Sequence, residues 1–91
     1  MIYFVTAKDI LTAKKVTHDL QAKNLADCFI SPLTAISCLG DINIPNEDKN
    51  ALRLDLLTVC DGLIAKKPVT SEMQREIDLA RLIKMEVQLI D

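Results

Sequence analysis

The sequence predicts a small three-layer α/β domain, a four-stranded parallel sheet of order 2-1-3-4 with helices on both faces. Three observations lead there. Four short apolar, β-forming runs alternate with helical segments along 91 residues. Strands separated by helices pair in parallel through right-handed crossovers. No internal repeat, low-complexity tract or linker interrupts the series, so residues 1–91 read as a single domain. Hydrophobic residues at 49% and charged residues at 26% describe an ordinary globule. A chain of this size buries roughly 60–65% of its unfolded surface.

The elements follow in order. "IYFV" (Ile2–Val5) is a buried first strand. Asp9 caps a helix running to about Lys23, with Leu11, Ala13, Val16 and Leu20 as its inner stripe. His18 points away from that stripe and reads as a surface residue. "DCFI" (Asp27–Ile30) is the second strand. Ser31 and Pro32 look like an N-cap and first helical position, opening a short helix, "PLTAISCL", that stops at Gly40. "GDINIPNED" supplies turn residues for a loop, and Asn46 caps a helix over Glu47–Cys60. Asp61 opens the third strand, Gly62–Ala65, which ends at Lys66-Lys67-Pro68. Ser71 and Gln74 form a capping box for the last helix, to about Lys84, and "EVQLI" (Glu86–Ile90) is the fourth strand.

Several function classes are disfavoured by composition. A net charge of −2 argues against a general nucleic-acid binder, which shows a basic face. Aromatics at 3% are too few for a base-stacking platform. No apolar run approaches the ~20 residues of a membrane span, and the start lacks the order of a signal peptide. Cys28, Cys38 and Cys60 form no C-x-x-C pair and His18 is the single histidine, so neither a metal nor a cofactor is expected. Free thiols in a reducing compartment place the protein in the cytoplasm.

One residue breaks the pattern. At about 100° per residue, Met73, Ile77, Leu79, Ala80 and Ile83 share one arc of the last helix, with Gln74, Asp78 and Arg81 opposite. Glu76 projects from the middle of the apolar arc. A charge there is costly to bury unless something pairs with it or uses it. As a structural group it would pair with Lys8, Arg75 or a backbone amide. As a functional group it sits well, because ligands of parallel sheets bind beyond the strands' carboxyl ends, where helix N-termini point. Thr70 and Ser71 offer N–H groups and hydroxyls to an anion at that edge, and Lys8, Lys66 and Lys67 add positive charge.

The opening "IYF", a "CD" pair before an apolar strand, "E-I-x-x-A" and a closing "V-x-L-I" together resemble the nucleoside 2-deoxyribosyltransferase-like superfamily, in particular its small phage- and prophage-type members of unknown function. The likeness covers nearly the whole chain in element order, and its specific part is Cys60–Ile90. It implies a flavodoxin-like, nucleoside deoxyribosyltransferase-like fold. It further implies that Glu76 is the nucleophile, with Ala80 and Val87 spaced behind it, that Tyr3 on the first strand holds Glu76, and that Asp61 is structural. The departures are specific. Thr70 stands six residues before Glu76 and Arg53 eight before Asp61, where relatives carry aspartates. Asp55 points to another side of its helix. Thr6-Ala7-Lys8 replaces a glycine-rich first turn, and Thr70 and Glu72 replace a serine and a glycine.

These departures favour a nucleotide- or sugar-phosphate-binding protein without full transferase activity, with Thr6, Lys8, Thr70 and Ser71 around the ligand. The first alternative is a transferase or hydrolase of N-glycosidic bonds acting on a nucleoside, with Glu76 attacking the anomeric carbon and Tyr3 orienting it. No residue stands out as the proton donor that the departing base needs. The second is a small protein-interaction protein of the phage accessory type. Self-association is also expected, as a homodimer or larger assembly. The strands Asp27–Ile30 and Glu86–Ile90 are the sheet's edges, and the latter is apolar, lacks proline and carries charge only near its ends.

Overall fold

The computed structural model describes residues 1–31 and 46–91, the side chains of 46–50 excepted. Its elements are β1 (Ile2–Thr6), α1 (Ile10–Lys23), β2 (Cys28–Ile30), α2 (Asn46–Thr58), β3 (Gly62–Lys66), α3 (Ser71–Leu82) and β4 (Glu86–Ile90). All four strands run parallel in the order β2-β1-β3-β4. The described residues therefore form a small α/β domain with a parallel sheet and three helices, consistent with a flavodoxin-like architecture. The short helix expected after Pro32, its stop at Gly40, the loop that follows and Cys38 lie outside the described residues.

Capping explains where the helices begin and end. Asp9 accepts the Thr12 N–H at 2.7 Å and starts α1 as expected. At α3 the cap is Thr70, not Ser71: the Thr70 hydroxyl accepts the Met73 N–H at 3.3 Å, and Met73 Sδ accepts the Thr70 N–H at 3.5 Å. Thr70 wins because Met73 is fully buried and fixes the register of the first turn. The helix stops at Leu82, where the Lys84 N–H donates to the Arg81 carbonyl and the Met85 N–H to that of Ala80. That pair of bonds requires a left-handed residue, and Lys84 supplies it at φ 61°. β2 begins at Cys28, one residue late, since the Asp27 carboxylate takes the amino-terminal ammonium at 3.3 Å.

Alternation along β1 sorts the core into two faces. Phe4 packs with Leu63, Ala65, Leu57, Cys60, Met73, Ile77 and Ala80, which joins β1 and β3 to α2 and α3. Val5 packs with Phe29 and Ile64, and Tyr3, Val16, Leu20 and Ile90 close that second face under α1. Leu11, expected in the inner stripe of α1, is instead 81% exposed. It precedes buried Ala13 by two positions, about 200° of helix rotation, and so faces outward.

The second face depends on one missing side chain. Tyr3 lies opposite Gly62 in the β1–β3 register and stacks on Phe29, ring centroids 5.4 Å apart. A Cβ on Gly62 would sit 2.9 Å from Tyr3 Cδ1 and Cε1. Gly62→Ala is expected to push the ring off Phe29 and cost about 1–2 kcal/mol, as small-to-large changes in packed sites do. Urea unfolding checks this, and in a Tyr3→Ala background the same Gly62→Ala change should cost little. Asp61 ties the start of β3 to the start of β1. Its Oδ2 accepts the Ile2 N–H at 2.7 Å while its own N–H donates to the Ile2 carbonyl at 2.7 Å.

Candidate functional site

Three elements converge on Glu76. Thr6 ends β1 with its side chain on the face shared with Phe4, so it points up towards α3. Ala65, paired with Thr6 across the sheet, is small and fully buried, which leaves room for a long side chain above it. Glu76 comes down from the second turn of α3 and is only 2% exposed. The Thr6 hydroxyl donates to Glu76 Oε1 at 2.9 Å. Arg53, one turn before buried Leu57 on α2, donates from Nη2 to the same oxygen at 2.7 Å. The pair is enclosed, with the Arg53 side chain 12% exposed and that of Glu76 3%.

Burial pushes the Glu76 carboxyl above its ordinary value, against the Arg53 charge and the hydrogen bonds from Thr6 and Arg53, which pull it down; Glu72 adds to the rise. A buried ion pair that costs this much desolvation adds little to stability by itself. Two polar atoms of the pair are left over: Glu76 Oε2 and Arg53 Nε are both buried without a hydrogen-bond partner among the described residues. Both residues line a cavity of about 30 Å³, with Leu54, Glu72 and Arg75. That space suits one small polar group, whereas pockets for drug-sized ligands run to ~300–1,000 Å³. A buried acceptor and a buried donor on two side chains that line one space suit a group that both donates and accepts a hydrogen bond, such as a hydroxyl.

Tyr3 is not brought to Glu76. Odd and even positions of a strand face opposite ways, so Tyr3 lies under α1 while Thr6 faces α2 and α3, from which Arg53 and Glu76 reach down. Its hydroxyl donates weakly to Met1 Sδ at 3.7 Å. Thr6, expected among the ligand contacts, instead does the holding that the resemblance assigned to Tyr3. The Thr70 hydroxyl is engaged in capping α3. Ser71 and Lys8 are exposed at the carboxyl edge of the sheet.

Arg53 is the residue that sequence reasoning missed. The sequence sets Arg53 where an aspartate is expected, and it offers Lys8, Arg75 or a backbone amide as the partner of Glu76. A signal was present: Arg53 precedes apolar Leu57 by one helical turn, so each of two adjacent helices carries one charge on its inward stripe, of opposite sign. Two such residues satisfy each other when their helices cover the same face.

Compared with protein-family models, with curated proteins and with solved structures, the chain finds no match.

Proposed function

We propose that the protein binds a small polar ligand, a nucleotide or sugar phosphate, at the carboxyl edge of its sheet, with the Arg53–Glu76 pair as the innermost contact. A three-layer architecture and a kinship with the nucleoside 2-deoxyribosyltransferase-like superfamily belong to the same reading, on the residues quoted for them above. The observation that carries it is that Glu76 Oε2 and Arg53 Nε are buried without a partner among the described residues, on two side chains that line one cavity. A ligand hydroxyl entering there restores both hydrogen bonds, and buried polar groups left unmade cost roughly 1–3 kcal/mol each. Ser71 and Lys8 at the same edge would meet the phosphate, aided by the α3 N-terminus.

Binding is favoured over bond cleavage. Glu76 Oε1 is committed to Arg53 and Thr6, and the guanidinium draws charge from the carboxylate that would have to attack. The cavity of about 30 Å³ does not bring an anomeric carbon up to Oε2 without movement of α2 or α3.

Thermal shift against nucleosides, nucleotides and sugar phosphates at millimolar concentration tests the reading, since a ligand of the native state raises its melting temperature. A phosphate-bearing ligand should stabilise the wild type, and Lys8→Ala with Ser71→Ala should weaken the effect. Replacing the pair by Arg53→Met with Glu76→Leu should abolish it. No response to any of them, or a response unchanged in the pair variant, removes the proposal. Release of free base from a nucleoside would establish the N-glycosidic alternative instead.

A further inference from the structure

The two edges of the sheet are treated differently. β2 is three residues long, and its Phe29 N–H is already taken by the Gln21 side chain of α1 at 3.1 Å. Gln21 Nε2 also holds the Asp27 carbonyl at 2.8 Å. A short edge latched by a helix resists pairing with another chain. Among the described residues nothing latches the outer edge of β4 in that way. It is five residues long, without proline or an internal lysine, and Leu89 on it is 42% exposed.

We propose that two copies of this chain pair β4 against β4, antiparallel about a two-fold axis at Gln88, so that the two sheets become one. A two-fold axis perpendicular to the sheet keeps each face continuous, and pairing Gln88 with its own copy engages all five residues of the strand. Val87 then lies opposite the partner's Leu89, on the face that carries Phe4 and α3. On the other face Glu86 lies opposite the partner's Ile90. Ile90 is in register with Lys66 on β3, so Glu86 and the partner's Lys66 flank one residue from either side. Two strand spacings separate them, roughly 9–10 Å, which a glutamate and a lysine side chain span together. The symmetry repeats this ion pair. The occupant is thereby a second copy, because the strand complements its own reverse in both shape and charge.

Light scattering at tens of micromolar should show a dimer for the wild type. Gln88→Lys sets two like charges against each other at the axis and should give a monomer with unchanged circular dichroism. Glu86→Lys should raise the dissociation constant at least several-fold, and adding Lys66→Glu should restore it. Should Gln88→Lys fail to fold, Gln88→Cys in a Cys28→Ser background supplies the same information. Residue 88 opposite itself is within disulfide reach, and mild oxidation should yield a crosslinked dimer. A monomeric wild type, a dimer indifferent to Gln88→Lys, no crosslink at residue 88, or no rescue by the charge exchange would each overturn the proposal.

Discussion

Glu76→Leu is expected to destabilise the protein by about 2–3 kcal/mol, and Arg53→Met in the same chain to return most of that loss. Removing one partner of a buried ion pair strands the other, at a typical cost of ~3–5 kcal/mol, whereas replacing both by apolar groups is often neutral. The lower figure applies here because Arg53, 12% exposed, can turn its guanidinium towards water. Denaturant unfolding of the two single variants and the double variant reads the coupling directly. Equal losses for the double variant and the sum of the singles would mean that the pair does not act as one. The pair also has a pH signature. Because the native Glu76 carboxyl is raised above its ordinary 4.5, the folded protein holds a proton that the unfolded chain has released. Its contribution is therefore fully present below that value and is lost as pH rises through the native one. The stability of the wild type relative to the double variant should fall as pH rises across this window. A difference that grows with pH would reverse the sign and mean that Arg53 outweighs burial.

Phe4→Ala is expected to cost about 3–5 kcal/mol, the range for an aromatic removed from a closed core. Phe4 is fully buried on the central strand, beneath both α2 and α3. Small domains have only ~5–15 kcal/mol of total stability, so the variant should unfold at a clearly lower denaturant concentration with the slope unchanged. Tyr3→Ala, one residue away on the other face and partly exposed, should cost less. Equal losses would mean that the two faces contribute alike, against the burial pattern.

Much of the architecture was legible from periodicity. Ile2–Thr6, Gly62–Lys66 and Glu86–Ile90 are short apolar runs flanked by caps and turns, and their alternation with helices leaves parallel pairing as the simple solution. Asp9 also lies where its helix begins, because capping is a local interaction. Legibility declined where neighbours in space, not in sequence, make the choice. Thr70 took the cap from Ser71 once Met73 was packed. Tyr3 and Thr6 differ by an odd number of positions, and only the placement of helices on one face or the other decides which of them meets Glu76.

The sequence by itself determined that Glu76 would be a charge on an apolar helical arc, and that the carboxyl edge of the sheet would be near it. Only the tertiary structure decided what answers that charge. Arg53 and Glu76 are 23 residues apart in the chain, on different helices. Nothing local orders them, and they meet because α2 and α3 both follow crossovers onto the Phe4 face. A helical pattern reports which way a side chain points relative to its own axis. The partner it finds depends on how the helices are set against the sheet, a property of the assembled layers.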